Sequence, residues 1–288
     1  MPIKPQQLHG ALARAGLPTG QLAPVAGGSL PAFRLDGGDQ AWFIKLLPDA
    51  DMVAAEADGL AALARSTAVV PAVYGQCPIP GGSLLVLEWL ELAQIRDDHE
   101  AAFACSLAAL HDQRGDSFGW HLDNWIGAAR QHNTPTAQWR AFYRDQRLAP
   151  QLRWACHAGL PEQVADEVRW VMQHLDAWLA EDPVPSLVHG DLWSGNRAVS
   201  NGQPALFDPA VYYGDPLVDL AMLHLFGSPG AAFWPAYEAC RAVDRQQFSR
   251  RQPLYDLYHW LNHFTLFGES YLSAVRRCCA TLRQELHG

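Results

Sequence analysis

Three polar side chains in the stretch from Ser186 to Asp219 have the types and the spacing that phosphoryl transfer from a nucleotide requires. Asp191 lies in a His-Gly-Asp turn, Asn196 follows it, and Asp208 comes after a short strand-like segment. Such a transfer needs one carboxylate to accept a hydroxyl proton, and an amide with a second carboxylate to hold Mg²⁺ on the phosphates. We therefore predict that Asp191 is the catalytic base and that Asn196 and Asp208 are Mg²⁺ ligands.

The segment between these last two residues predicts a turn that brings them together. Asn201-Gly202 is a two-residue hairpin signal, and the strand-like segments 197–199 and 205–207 flank it. A hairpin would return Asp208 to the side of Asn196, which is the geometry that a shared metal ion requires. The alternative is an ordinary turn rich in Asx residues, followed by a hairpin with no role in chemistry.

A glycine-rich turn nearer the N-terminus is a candidate phosphate loop. Gly27-Gly28-Ser29 lies between two strand-like segments, residues 21–25 and 31–35. Backbone N–H groups in such a turn can approach phosphate oxygens. Most Gly-Gly pairs are plain turns, so the phosphate interpretation depends on the strand and helix that come next in the chain.

The next predicted strand, at residues 40–46, has one lysine in it. Lys45 lies among apolar residues, where an unpaired charge would be costly. The segment after it, 49–65, has helical spacing and contains Glu56. A strand lysine that pairs with a helix glutamate and points at the nucleotide phosphates is typical of kinases, so we predict that Lys45 and Glu56 do this. The alternative for Glu56 is a solvent-exposed helix acid.

The N-terminal 90 residues therefore predict a small, mostly antiparallel sheet with one main helix. Residues 71–75 and 82–87 supply two further strands, and the chain then leaves the sheet through Glu88, Trp89 and Leu90. In a kinase-like fold this segment is the hinge whose backbone pairs with adenine. We predict an α+β fold with two lobes, residues 1–90 and 91–288.

The second lobe is predicted to be mainly helical. Helical periodicity covers residues 139–156, 161–181, 217–226 and 254–277. Residues 118–127 are rich in aromatic residues and glycine and predict a structured loop. The aromatic run of 255–267, which includes His263, fits either a core face or a pocket wall.

Composition excludes several classes of partner. The net charge is −9 and the isoelectric point is about 5.7, whereas a nucleic-acid-binding protein needs a basic face. No apolar run approaches the roughly 20 residues of a membrane span, and the N-terminus does not resemble a secretory signal. The six cysteines show no C-x-x-C pair and no metal-ligand spacing, which is typical of a reduced protein. We expect a cytoplasmic protein that binds neither nucleic acid nor membrane.

Over nearly its whole length the sequence resembles the fructosamine kinase (ketosamine-3-kinase) family, a branch of the aminoglycoside-phosphotransferase-like kinases with a protein-kinase-like fold. The lysine strand, Glu56 and the His189–Asn196 turn are shared with related small-molecule kinases. More specific to the fructosamine branch are Trp193, the DPAVYYG run of 208–214 and the LYHWLNH run of 257–263.

The resemblance implies phosphorylation by ATP and Mg²⁺ of the sugar 3-hydroxyl of a ketosamine. Ketosamines are adducts of sugars such as glucose or ribose with amines, including protein lysines, and the phosphorylated adduct falls apart, so the family is associated with deglycation or repair. The acceptor is expected to be a small-molecule or protein-bound ketosamine. The residues expected on the acceptor side are Trp193, Tyr212, Tyr213 and His263.

The sequence departs from the family pattern at Pro216-Leu217-Val218, which precedes Asp219 where an Arg-Glu pair is usual. The resulting GDP-x-x-D is more similar to aminoglycoside and choline kinases. A kinase for another hydroxylated amine is therefore an alternative, because aromatic residues also suit a cationic ligand. A pseudokinase that binds a nucleotide without catalysis is a further alternative. It should have lost Lys45, Asp191, Asn196 or Asp208, and all four are present.

Overall fold

The computed structural model describes residues 5–26 and 30–287. The predicted phosphate loop Gly27-Gly28-Ser29 lies outside these residues. The first lobe contains two helices and five strands, namely α1 (Pro5–Arg14), β1 (Gln21–Val25), β2 (Ala32–Asp36), β3 (Ala41–Leu47), α2 (Ala50–Leu63), β4 (Val73–Ile79) and β5 (Gly82–Glu88).

These five strands form one antiparallel sheet in the order β1-β2-β3-β5-β4. Successive side chains in a strand point to opposite faces, so the sheet has two apolar faces. Ile44 and Leu84 pack with helix α1 on one face, whereas Leu85 and Leu87 pack with helix α2 on the other. The alternation places Lys45, the neighbour of Ile44, on the α2 side, where Glu56 is.

The second lobe begins with β6 (Leu92–Ala93) and helix α3 (Asp97–His111). Short strands form two antiparallel pairs in it, β7 (Asn124–Ile126) with β8 (Ala129–Gln131) and β9 (Ser186–Val188) with β12 (Tyr212–Gly214). Strand β10 (Arg197–Ser200) pairs on one side with β11 (Gln203–Leu206) and on the other with β6, in a three-stranded antiparallel sheet. The remaining helices are α4 (Trp139–Phe142), α5 (Ala149–His157), α6 (Glu162–Gln173), α7 (Leu217–Leu225), α8 (Phe233–Cys240), α9 (Arg245–Phe267) and α10 (Leu272–His287). A π-helical stretch, Tyr143–Leu148, joins α4 to α5.

The predicted hairpin is confirmed. In the β10–β11 pair Arg197 lies opposite Leu206 and Ser200 opposite Gln203. Asn201 and Gly202 connect the strands with positive φ angles of 50° and 77°. A turn with two such residues matches the right-handed twist of the strands. The hairpin therefore returns the chain to the level of Asn196.

The helices predicted over 254–277 are present, but their bounds differ from the prediction. Helix α9 begins earlier, at Arg245, and ends at Phe267, and α10 follows after a short 3-10 turn. Gly268 has a φ of 81°, a conformation that glycine adopts without steric cost and that ends the helix. The periodicity of the aromatic run hides this break.

The expectation of a fully reduced cysteine set is also corrected, because Cys105 and Cys240 form a disulfide. Cys105 lies in α3 and Cys240 is the last residue of α8, and 135 positions separate them in the sequence. Spacing rules detect cysteines that are close in the chain, and the packing of α8 on α3 is not visible to them. Within residues 5–26 and 30–287, no helix combines the length and apolar character of a membrane span.

Candidate active site

The turn that carries Asp191 follows β9 and depends on the glycine before it. Gly190 has a φ of 82°, and a Cβ atom there would lie 2.1 Å from the carbonyl oxygen of Ala210. Only glycine fits so close to the neighbouring backbone in this conformation. Gly190 therefore lets the chain turn sharply beside the segment that leads to β12.

Asp219 of helix α7 holds this turn in place. Its carboxylate accepts hydrogen bonds from the backbone N–H groups of His189 at 2.6 Å and Gly190 at 2.9 Å. One ring nitrogen of His111 lies 3.1 Å from the same carboxylate, and the other lies 2.7 Å from the Tyr237 hydroxyl. Burial alone would raise the pKa of Asp219, but the His111 contact, the charge of His189 and the backbone donor Gly190 lower it. The carboxylate is thus a fixed anchor for the catalytic turn, and His111 is a buried structural histidine.

Asn196 joins the catalytic turn to the second predicted metal ligand. Its amide nitrogen donates to the backbone oxygen of Asp191 at 2.9 Å and to that residue's carboxylate at 3.1 Å. It also approaches the backbone oxygen of Asp208 at 3.4 Å. These contacts all use the nitrogen, so the amide oxygen is left to a ligand. The structure therefore brings together the three residues that spacing singled out.

Asp208 has an unusual backbone conformation. Its φ of 54° lies in the left-handed region, which Asp and Asn tolerate better than most residues. In this conformation its carboxylate accepts a hydrogen bond from Lys45 Nζ at 3.0 Å. Non-glycine residues held in this region are frequent at functional sites. The strain is consistent with a carboxylate that must be aimed across the cleft between the lobes.

Lys45 pairs with Glu56 as predicted, at 2.8–2.9 Å. The Lys45 side chain is 15% exposed and that of Glu56 9%. Burial alone would lower the pKa of Lys45, but the charges of Glu56 and Asp208 raise it above its ordinary value. Lys45 is therefore a permanent cation that links the helix of the first lobe to the Asp208 carboxylate of the second.

Helix α2, which carries Glu56, is fixed against the second lobe at two further points. Asp58 accepts hydrogen bonds from Trp120 Nε1 at 2.6 Å and from His121 at 3.1 Å. A Cβ atom on Gly59 would lie 2.9 Å from Cγ of Pro209. The helix thus packs directly on the residue that follows Asp208, and the position of Glu56 is coupled to that of the segment around Asp208.

Asp191 has the electrostatic environment of a proton acceptor. Burial and the charge of Asp208 raise its pKa to about 7, against a hydrogen bond from Asn196 that lowers it. A base whose pKa is near neutrality is effective at neutral pH. A cation between Asp191 and Asp208 would remove much of the repulsion between the two carboxylates and would lower this pKa.

Two adjoining cavities meet at these residues. The larger, of about 470 Å³, lies under the sheet and is lined by Phe43, Leu87 and the predicted hinge 88–90. The smaller, of about 260 Å³, is lined by Glu56, Asp191, Asn196 and Trp193, among others. Lys45 and Asp208 line both. An apolar cleft therefore opens onto a polar chamber that contains Asp191, and Lys45 and Asp208 lie at the junction.

The residues predicted for Mg²⁺ fit that ion. Asp208 offers a carboxylate and Asn196 an amide oxygen, and hard oxygen donors are what Mg²⁺ prefers. In the described part of the chain no three His, Cys, Asp or Glu side chains form a cage by themselves. Nucleotide sites typically hold Mg²⁺ by one or two carboxylates with the phosphates completing its coordination, so two protein ligands are enough.

Of the residues predicted to contact the acceptor, Trp193 lies at the smaller cavity. Its ring packs over Gly195, where a Cβ atom would lie 2.3 Å from it, and 38% of the residue is exposed. His263 is half-buried on α9 and is not among the described residues that line either of the two cavities.

The two tyrosines of β12 lie elsewhere. Tyr212 is buried, 3% exposed, and stacks on Trp139 and under Arg147, which corrects the expectation that it contacts the acceptor. Tyr213 points to the opposite side, where its ring packs on Trp120 and against Gly115. The structure brings neither tyrosine to the cavity lining that it describes.

Among the residues that line the smaller cavity, Asn124 and Trp125 are examples that the sequence analysis did not predict as site residues. Asn124 donates to the Val211 carbonyl at 2.7 Å and accepts from Gln131 at 2.8 Å, so it supports the segment after Asp208 from below. A signal for Asn124 was present in the sequence, since it is a polar residue within the aromatic and glycine-rich loop of 118–127. A buried asparagine in such a loop usually belongs to a fixed hydrogen-bond network.

Comparison with known proteins is consistent with this geometry. A family model described as fructosamine kinase matches residues 6–285. A Synechocystis protein named as a ketoamine kinase is 42% identical over 86% of this chain and 85% of its own. A rice (Oryza sativa subsp. japonica) protein-ribulosamine 3-kinase is 36% identical over 78% of this chain and 66% of its own.

Solved structures agree. One described as a fructosamine-3-kinase of Haemophilus somnus has a TM-score of 0.86 at 26% identity and covers 96% of this chain and 97% of its own. The aminoglycoside phosphotransferase APH(4)-Ia, solved with ADP and hygromycin B, has a TM-score of 0.67 at 16% identity over 94% and 96% of the two chains, which confirms the protein-kinase-like fold with an antiparallel sheet lobe and a helical lobe. The chain belongs to the fructosamine kinase family and is a phosphotransferase.

Proposed function

We propose that this protein transfers the γ-phosphoryl group of ATP to the 3-hydroxyl of a ketosamine. The observation that carries the proposal is the convergence of Lys45, Asp191, Asn196 and Asp208 on one chamber beside an apolar cleft. A metabolic role in deglycation or repair follows from this chemistry, because removal of sugar adducts requires their activation. The cytoplasm is the proposed location.

The nucleotide is proposed to bind in the larger cavity. Adenine would lie among Phe43 and Leu87 and pair with the backbone of the hinge, Glu88, Trp89 and Leu90, which lines this cavity. Lys45 would then contact the phosphates, since its side chain is held at the junction by Glu56 and Asp208. The sequence Gly27-Gly28-Ser29 is proposed to bind the phosphates through backbone N–H groups. Bound Mg²⁺, held by Asn196 and Asp208, would neutralise phosphate charge.

The acceptor is proposed to bind in the smaller cavity with its sugar against Trp193. Asp191 would take the proton of the attacking hydroxyl as the oxygen–phosphorus bond forms and the bond to ADP breaks. Asp191 fits this task because its side chain lines the smaller cavity beside Asn196, whose amide donates to the carboxylate at 3.1 Å. The ketoamine and ribulosamine kinase names of the Synechocystis and rice relatives support a ketosamine as the acceptor.

The departure at Pro216-Leu217-Val218 does not favour a different acceptor. Leu217 and Val218 are buried, each 5% exposed, in the first turn of α7. None of the three is among the described residues that line the smaller cavity, which we call the catalytic chamber. Asp219 still makes its two hydrogen bonds to the catalytic turn. The positions at which this sequence lacks the usual Arg-Glu pair are therefore behind the turn that carries Asp191 and outside the proposed acceptor site.

The test is ATP consumption by the purified protein with Mg²⁺ and a panel of acceptors. The panel holds a fructosamine, a ribulosamine, an aminoglycoside and choline, with the variant Asp191→Asn as the background. We expect turnover on the ketosamines alone. Turnover only on the aminoglycoside or on choline would refute the proposed acceptor, and ATP binding without turnover on any acceptor would support a pseudokinase. Phosphate position on the product is read by NMR, and a phosphate at a hydroxyl other than the third would refute the regiochemistry.

A further inference from the structure

A continuous series of aromatic rings leads from the catalytic chamber across the surface of α9. Trp193, which lines the chamber, meets the first ring at a centroid distance of 6.2 Å. The next two steps, from Phe226 to His263 and from His263 to Phe267, measure 5.2 and 5.6 Å. We call this series the aromatic strip; it consists of Phe226, Trp260, His263, Phe267 and Tyr271.

The strip is exposed to an extent that a folded core does not explain. Phe267 is 62% exposed and Phe226 42%, and Leu266 beside them is 37% exposed. Leu266 also lies against Gly127, where a Cβ atom would be 3.4 Å from its Cδ1, and Gly127 lines the catalytic chamber. Contiguous exposed apolar surface of this kind marks interaction sites. Its continuity with the chamber makes it an outer extension of the acceptor site.

The strip is also uncharged near neutral pH. His263 is its one ionisable ring apart from the Tyr271 phenol, and burial lowers the pKa of this imidazole. Its Nδ1 is used in a contact with the His259 carbonyl at 2.8 Å. The partner that fits such a surface is apolar and not an anion.

We propose that the aromatic strip binds the polypeptide next to a ketosamine-bearing lysine and selects apolar flanking residues. This inference rests on the proposed function, because the sugar must occupy the chamber for its amine side to reach Phe226. The three ring-to-ring steps follow a path that an extended peptide of about five residues would cover, at about 3.4 Å per residue. The adduct of a free amino acid would end near Phe226 and leave Phe267 uncovered.

The test compares three acceptors that carry the same ribulosamine on lysine. One is a peptide with leucine and phenylalanine beside the modified lysine, the second a peptide with glycine and serine there, and the third the adduct of free Nα-acetyl-lysine. The variants are Phe267→Ser, Phe267→Leu and the control Tyr74→Ser. Tyr74 is an exposed aromatic residue, 44% exposed, in β4 of the other lobe. KM and kcat are measured for each combination of protein variant and acceptor.

We expect the unmodified protein to show a KM about tenfold lower for the apolar peptide than for the glycine-serine peptide, as burial of about 60 Å² of apolar surface would give. Phe267→Ser should remove most of this ratio, whereas Phe267→Leu and Tyr74→Ser should keep it. Because a ratio between acceptors is measured, a general loss of folded protein does not imitate the effect.

Either of two kinetic results would overturn the inference while the proposed function stands. One is turnover of all three acceptors with equal KM, and the other is a KM ratio between the two peptides that Phe267→Ser leaves unchanged. Concentration-dependent dimerisation that Phe267→Ser abolishes would also overturn it, because the strip would then be an interface between two copies. Absence of turnover on every ketosamine would instead refute the proposed function itself.

Discussion

Two aspartates of the catalytic chamber differ in their surroundings, and the difference assigns their tasks. The Asp208 side chain is 45% exposed and ion-paired with Lys45, so it is accessible to a cation. Asp191 is largely enclosed, and burial raises its pKa to about 7. A carboxyl group of raised pKa suits proton transfer, whereas an accessible carboxylate suits a metal ion.

The change Asp191→Asn tests the assignment of the base. It keeps the shape of the side chain but removes its ability to accept a proton, so we expect kcat to fall by about 100-fold to 10,000-fold. The dissociation constant of Mg·ATP should change little, because Lys45 and Asp208 are intact. Turnover is measured by ADP release and ATP binding by calorimetry, with the exposed Asp116→Asn as the matched control. Near-normal turnover of Asp191→Asn would assign the proton transfer to another group.

The change Trp193→Ala tests whether this indole contacts the acceptor or only packs on the catalytic turn. A platform for the sugar should act on the acceptor, so we expect its KM to rise about tenfold, as lost apolar contact of this size would give, while the KM of ATP stays the same. Trp193→Phe should restore most of the affinity. If both Michaelis constants rose together, the ring would instead be supporting the Gly195 backbone on which it lies.

At the scale of residues, the sequence predicted what linear spacing encodes. The Asp191–Asn196 interval and the Asn201-Gly202 hairpin specified three groups that the structure brings together. Tyr212 is expected at the acceptor because its aromatic ring suits a sugar or a cationic ligand. Neighbouring residues in a strand face opposite sides, and Tyr212 faces Trp139 in the core. Which side is buried depends on long-range packing that spacing does not contain.

At the scale of elements, helix α2 fixes the position of the first lobe relative to the second. Its Glu56 holds Lys45, its Asp58 accepts from Trp120, and its Gly59 packs on Pro209. Three contacts within about one helical turn, on different sides of the helix, fix its rotation as well as its distance. A displacement of α2 therefore moves Lys45 and the segment around Asp208 together.

The change Gly59→Val tests this coupling. A Cβ at this position would lie 2.9 Å from the Pro209 ring. Because a proline ring has little freedom to move away, either the helix or the segment around Asp208 must shift. We expect kcat/KM to fall by about 10-fold to 100-fold, since misplacement by about 1 Å has this effect on positioned groups.

The matched control for that helix is Ala61→Val, an exposed site on the same element that introduces the same β-branched side chain. Both variants should unfold at similar denaturant concentrations if the effect of Gly59→Val is confined to the site. An active Gly59→Val protein with unchanged kcat/KM would mean that α2 can move without moving Asp208.

The sequence predicted the elements of the first lobe well and those of the second less well. Strands of alternating pattern have turns between them, so β3 and β5 could be located from residues alone. The break between the last two helices could not be located from the sequence, because Gly268 interrupts an otherwise regular apolar period. The β7–β8 hairpin, predicted as a loop, has strands of three residues each, which are too short for an alternation pattern to register.

At the scale of the whole molecule, a buried carboxyl group connects the last two long helices to the pH dependence of stability. Asp256 lies in α9 beside Cys278 of α10, whose thiol pKa burial and the Asp256 charge raise. Burial raises the pKa of Asp256 to about 8, against a hydrogen bond from Gln252. Its Oδ1 atom is buried and has no partner among the described residues.

The sign of the effect follows from this raised pKa. Unfolded Asp256 ionises near pH 4, so between about pH 4 and pH 8 the folded state binds a proton that the unfolded state has released. Stability therefore falls as the pH rises through this window. Asp256→Asn removes the ionisation, and we expect its melting temperature to exceed that of the unmodified protein by about 3 °C at pH 8 and by much less at pH 4.5. The measurement is thermal unfolding followed by circular dichroism at both pH values, with the exposed Asp116→Asn as control. An equal gain at both pH values would attribute the effect to packing between α9 and α10, because only an ionising group makes the gain depend on pH.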